Sequence, residues 1–173
     1  MAFIGKGAIL QVQQNVYRGA TSAQCASGSF AAFDSNFFVN ISPNSSTSLI
    51  LIGGHLVASC TGGTQGLKVV YRRDSSTIGT ALDGSSTATI TGNGYSNVTG
   101  ATASGLVSGY GSETVPLCYI DKPNTTNQVS YSIALGTTSG ATRNVLINQL
   151  GDESNSSSYS RFSSIMYAME IAQ

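Results

Sequence analysis

The chain has one histidine, His55, and any imidazole chemistry must use it. It stands inside an apolar run, Leu49 to Ala58, between Gly54 and Leu56. A Ser/His/Asp triad would need a nucleophile on a sharp strand-to-helix elbow, and no G-x-S-x-G pattern supplies one. A zinc site would need cysteines at ligand spacing, yet Cys25, Cys60 and Cys118 lie far from the histidine and from each other, with no CxxC pair. The odd count argues against a disulfide framework. The thiols read as buried or neutral, with a single Cys25–Cys60 bridge as the alternative. Among the acids only Asp152 and Glu153 are adjacent, without the alternating oxygen ligands of a calcium loop. Gly62-Gly63 and Gly92-Asn93-Gly94 do not lead into a helix, so neither builds a phosphate site at a helix N-terminus. The residues therefore point to no catalytic site, no metal and no cofactor, and to a protein that is not an enzyme.

Charge narrows the partners. Eight Lys and Arg balance eight Asp and Glu, and only 9% of residues are charged. Lys68, Arg72 and Arg73 are the one local basic excess, and Asp74 follows at once. Phosphate affinity scales with a cation count that this chain lacks, so nucleic acid is not an expected partner. The exterior must be built from Ser, Thr, Asn, Gln and Gly. Such a surface steers no charged ligand and offers little repulsion against association, which suits a fixed assembly. No membrane span is present: the densest apolar run, Leu49 to Ile52, is far short of the roughly 20 residues needed. MAFIGKGAIL does not read as a secretory signal.

Aromatic side chains are the remaining contact candidates. Tyr119, Tyr131 and Tyr167 fall on strand patterns and are expected in the core. Tyr95 and Tyr110, with Asn97 beside Tyr95, fall in a long polar stretch and are the candidates for touching a partner or stacking on a sugar.

The elements that carry these residues are strands. Ser163 to Gln173 alternates Ile165, Tyr167, Met169 and Ile171 with smaller or more polar neighbours, the period of a half-buried strand that closes the core. Ala8 to Tyr17 places Leu10, Val12 and Val16 on one face and Gln11, Gln13 and Asn15 on a wet one. Gly19 to Ser29 is small and polar and reads as a loop. Phe33 to Ile41 reads as a strand with Phe37, Val39 and Ile41 together, followed by a turn at Ser42-Pro43-Asn44-Ser45. Leu49 to Ala58 is apolar on both faces and reads as a central strand, with Gly53-Gly54 marking a bulge or close approach. Leu67 to Arg73, Val115 to Asp121, Val129 to Leu135 and Arg143 to Asn148 complete the strands, and Pro116 suits an edge. Asp83 to Thr114 is a Gly/Ser/Thr-rich insertion with an expected hairpin around Asn93-Gly94. No stretch keeps an i, i+3, i+4 apolar pattern. The reading is a single all-β domain over 1–173, a sandwich of about eight to ten strands with almost no helix.

Five blocks in order, GAILQVQQNVY, FVNISPNSSTSLILIGGHLVAS, VVYRRDSSTIGTA, PLCYIDKPNTTNQVSYSIAL and SSIMYAMEIAQ, resemble a family of small β-domains of tailed phages. Together they cover most of the chain. Departures are the second glycine in Gly5-Lys6-Gly7, Leu49 where the family usually has Lys, and the poorly matched 83–114 insertion. The resemblance implies a jelly roll similar to the trimeric heads of the complement C1q and tumour necrosis factor type. Such domains serve as capsid decoration proteins and as tail-fibre tips. A start at Met1 without fibre-shaft repeats favours a stand-alone homotrimer on the outside of the phage particle, assembled in the host cytoplasm. Its partners would be the major capsid protein or other virion proteins. The alternative is a tail-fibre tip that recognises host surface glycan through Tyr95, Asn97 and Tyr110.

Overall fold

The structure, a computed structural model, describes residues 6–26, 29–33, 35–61, 65–78, 102–106, 112–137, 141–149 and 162–173. Twelve strands cross them: β1 (Ile9–Tyr17), β2 (Thr21–Cys25), β3 (Ala31–Ala32), β4 (Phe38–Ile41), β5 (Leu49–Cys60), β6 (Gln65–Arg73), β7 (Ser76–Thr77), β8 (Thr102–Leu106), β9 (Glu113–Asp121), β10 (Val129–Thr137), β11 (Arg143–Ile147) and β12 (Ser164–Ile171). No helix occurs among the described residues.

Every pairing is antiparallel. The first sheet runs β1–β12–β5–β9, with β11 and then β2 extending it from the edge of β5 beyond β12. The second runs β4–β10–β6–β8, with β3 beside β4 and β7 beside β8 on the same strand edges. Setting aside β2, β3, β7 and β11 and numbering β1, β4, β5, β6, β8, β9, β10 and β12 from one to eight, the sheets read 1-8-3-6 and 2-7-4-5. That order is a jelly roll: consecutive strands switch sheets except the fourth and fifth, β6 and β8, which pair, and β1 and β12 lie side by side. β8 falls within the 83–114 stretch and supplies an edge of the second sheet, whereas the expected hairpin around Asn93-Gly94 lies outside the described residues.

The inward faces make one apolar layer. Ile50, Ile52, Leu56, Val115, Leu117 and Met166 of the first sheet meet Val39, Ile41, Leu67, Val69, Ile133 and Leu135 of the second. The inward faces expected for Phe37–Ile41 and for β10 are buried, with Phe37, Val39 and Ile41 on one and Val129, Tyr131, Ile133 and Leu135 on the other; the other face of β10 is not wet as expected, since Ser132 and Ala134 are buried too. Among the described residues β9 pairs only with β5, so Pro116 sits on an edge. The β6–β7 turn uses positive φ at Asp74 (49°) and Ser75 (67°), the backbone a two-residue hairpin loop needs.

Two expectations reverse. On β12 the buried positions are Ser164, Met166, Ala168 and Glu170, and Ile165, Tyr167, Met169 and Ile171 point outward. On β1, Gln11 and Asn15 turn inward while Val12 and Val16 are 48% and 39% exposed. A period of two defines two faces and does not say which faces the core. Here the polar residues go inward because each finds a partner. Glu170 accepts from Gln11 Nε2 (2.7 Å), the Asn44 backbone N–H (2.7 Å), Asn44 Nδ2 (2.7 Å) and the Ser45 N–H (3.3 Å). Burial alone would raise its pKa; the donors Gln11, Ser48 and Asn44 outweigh this and hold the carboxyl below the usual range. Asn15 Nδ2 donates to Phe38 O at 2.9 Å.

β2 is a further correction, since the polar Gly19–Ser29 stretch read as a loop. Thr21–Cys25 is a strand because β11 offers it a ladder from Arg143 to Ile147. Between Phe33 and Ile41 only Phe38–Ile41 is strand, with a turn at Ser35-Asn36.

β5 divides one edge between two partners. β12 covers Leu49–His55, and β11 covers Ala58–Cys60. At the gap, Ser164 Oγ accepts the Val57 N–H (2.9 Å) and the Asn148 N–H donates to Val57 O (2.9 Å). Ser164 Oγ passes its own proton to Asn148 Oδ1 (2.7 Å), and Asn148 Nδ2 donates to Tyr17 O (2.9 Å) and Gly19 O (3.1 Å). Asn148 holds φ at 55°, which Asn tolerates better than most residues. A buried backbone pair that neither neighbouring strand reaches is thereby satisfied.

Candidate functional site

The outward face of the first sheet is the most distinctive surface among the described residues. Strand register sets it out in rows. Ile9, Ile171 and Leu49 form the first. Val12, Met169, Leu51 and Ile120 form the second, and Gln14, Tyr167, Gly53 and Cys118 the third. Val16, Ile165, His55 and Pro116 form the fourth. Ile9 is 59% exposed and Ile120 55%, and the four β12 side chains are half-buried. No Asp, Glu, Lys or Arg stands in these rows. Contiguous apolar rows open to water are rare on single subunits and mark contact surfaces.

Backbone chemistry keeps the face smooth. A Cβ at Gly53 would meet the Tyr167 ring at 2.4 Å, so glycine lets that ring lie against the sheet. Gly54 has φ of +130°, and a Cβ there would stand 2.0 Å from Ile165 O. The expected close approach at Gly53-Gly54 is thus present, without a break in the β5–β12 or β5–β9 register.

The opposite exterior differs. The outward positions of β4, β10 and β6 include exposed Asn40 and half-buried Phe38, Ser130, Lys68 and Arg72, whereas Ser132, Ala134 and Val70 are buried. Those positions mix polar, charged and apolar residues, three of them covered, and form no matching apolar face.

His55 lies in the apolar face, half-buried, with Nε2 3.1 Å from Ser163 O. Among the described residues no group of three or more His, Cys, Asp or Glu side chains could hold a metal ion. The charged groups that are grouped serve the fold. Arg73 Nη1 lies 2.7 Å from Asp121 Oδ2, and Tyr131 Oη donates to the same oxygen at 2.7 Å. These bonds tie β9 of one sheet to β6 and β10 of the other. Burial, and then the Asp121 hydrogen bond, push the Tyr131 phenol well above its ordinary value. Tyr119 stacks on Tyr71 with centroids 5.0 Å apart and donates to Ile78 O at 2.7 Å. Tyr71 and Tyr131 are core, Tyr119 packs at its margin, and Tyr167 is the exception on the outer face.

All three cysteines are free. Cys25 and Cys60 are both buried, but β11 lies between their strands. Two strand spacings make about 9–10 Å, beyond the roughly 7 Å that a disulfide spans between Cα atoms. Burial pushes the Cys25 thiol up to about 11 and raises that of Cys60. Cys118 is exposed on the apolar face. Tyr95, Asn97, Tyr110, Asp152 and Glu153 lie outside the described residues.

Sequence reasoning found the strands of this face but turned two of them over. The signal that could have exposed it is β5, where Leu49, Leu51, Ile50 and Ile52 are apolar at both parities. A strand greasy on both sides needs a cover on both.

No protein-family model matches the chain, and no curated protein matches it. Among solved structures it is similar to a chain of infectious bursal disease virus Gx strain, at 14% identity and a TM-score of 0.42, covering 96% of this chain and 43% of that one. It is similar to a chain of T=1 particles derived from the same virus, at 14% identity and a TM-score of 0.42, covering 94% and 36%. The VP2 subviral particle of infectious bursal disease virus gives 15% identity and a TM-score of 0.41, covering 96% and 39%. The chain spans less than half the length of each. No helix among the described residues is long and apolar enough to cross a membrane.

Proposed function

We propose that the chain is a non-enzymatic structural protein of a phage virion, a homotrimer that decorates the outside of the head and docks on the major capsid protein. The observation that carries the reading is the uncharged apolar face of the first sheet. The apolar rows of β1, β12, β5 and β9 suit burial against other copies, and their lack of charge lets like surfaces meet without repulsion. The phage blocks quoted above support the virion setting and the trimer.

The test is the solution mass of the full chain by light scattering at micromolar concentration, beside Ile120→Asp. A trimer in the unchanged protein and a smaller species in the variant are expected, because a carboxylate in a covered apolar face is costly. A monomer in both would overturn the assembly. Binding to purified heads that lack the protein tests the docking. Coating of host cells, lost in a Tyr95→Ala/Tyr110→Ala variant, would favour the fibre-tip alternative.

A further inference from the structure

We propose that His55 makes self-association of this chain pH-dependent: copies hold together at neutral and basic pH and loosen as the imidazole takes up a proton. The inference rests on the reading of the apolar face as the contact between copies, and adds how that contact is regulated.

His55 is the only histidine in the chain and stands in the fourth row of the face, between Ile165 of β12 and Pro116 of β9. Ser163 O, 3.1 Å from Nε2, can only accept, so Nε2 carries the hydrogen of the neutral ring and Nδ1 is left to take up a proton. The titratable groups sharing its face among the described residues are Cys118 on β9 and Tyr167 on β12, and thiols and phenols carry no negative charge in acid. Glu113 of β9 alternates onto the inner side. Arg18 follows β1 at this end of the sheet, and a second cation there adds repulsion. No carboxylate in the rows is placed to receive an imidazolium. Covering the neutral ring with a second copy removes half-buried surface from water. Covering the charged ring adds the desolvation of an unpaired cation. Assembly therefore favours the neutral ring, and imidazole charge changes in the range where biological pH varies.

Sedimentation velocity on the full chain, at fixed ionic strength from about pH 8 to about pH 5, reads the effect. Circular dichroism at each pH verifies the fold. Wild type should associate at the basic end and weaken by about tenfold per subunit at the acidic end, because covering the charged ring leaves a cation unpaired. His55→Gln, or His55→Thr should the first variant fold poorly, should associate alike at both ends. Association that is equal at both ends in wild type overturns the proposal, as does an unchanged pH loss in a folded variant. A wild-type monomer at every pH overturns the contact reading beneath it and is a distinguishable result.

Discussion

Replacing Glu170 by glutamine tests whether the inward turn of β12 is held by the cage around that carboxylate. Oε1 takes the backbone N–H groups of Asn44 and Ser45, and Oε2 takes the side-chain amides of Gln11 and Asn44. In Glu170→Gln one oxygen becomes an NH2 that faces donors, so at least two hydrogen bonds go. Each bond to a charged group contributes about 1.5–3 kcal/mol, which sets a ceiling of roughly 3–6 kcal/mol. Gln11 and Asn44 are near the rim and can turn to water, which brings the expected loss to about 2–4 kcal/mol. The folded carboxyl is held low. Its contribution is thus complete above the unfolded carboxyl value of about 4.3 and is lost as pH falls through the folded value. Urea unfolding at neutral pH should separate wild type from the variant by that amount, and the gap should close in acid. Equal stability at neutral pH, or a gap unchanged in strong acid, would refute the role given to the cage.

Other outcomes follow from the same geometry. Ile133→Ala should cost about 2–5 kcal/mol as a buried large-to-small change, while Met169→Ala should cost about 1 kcal/mol or less in dilute protein and chiefly weaken association; denaturation and sedimentation read the two. Gly54→Ala combines a φ of +130° with a Cβ against Ile165 O, and a loss of about 3 kcal/mol or more is expected in thermal unfolding. Thiol titration of the folded chain should modify Cys118 alone, with Cys25 and Cys60 reacting after denaturation, and mass analysis without reductant should show no internal disulfide.

Much of the fold was legible because strand alternation is local. The core face of β10 was set by its own residues, although the cover over Ser132 and Ala134 was not, and Pro116 marked an edge that has one neighbour among the described residues. The sidedness of β12 was not legible, because it depends on residues far away in the chain. Ser164 and Glu170 can be buried only once Asn148, Val57, Gln11 and Asn44 have arrived. β2 was missed for a related reason: TSAQC has little preference of its own, and β11 decides its state. The jelly-roll order entered through the resemblance of ordered blocks, since periodicity has no bearing on which strands become neighbours. The apolar face was hidden by the assumption that grease points inward, an assumption that fails when a second cover is needed.

The divided edge of β5 has a mechanical consequence. The β2–β11 limb is laddered to β5 over Ala58 to Cys60, with single backbone bonds at Val57 and Thr61 on either side, whereas β12 grips it from Leu49 to His55. Pulling or heating should peel that limb first, with Asn148 as the rivet at the root of the tear. Amide protons of β2 should then exchange with solvent ahead of those in β12, and the unfastening of one flap would leave the greasy side of the sandwich intact.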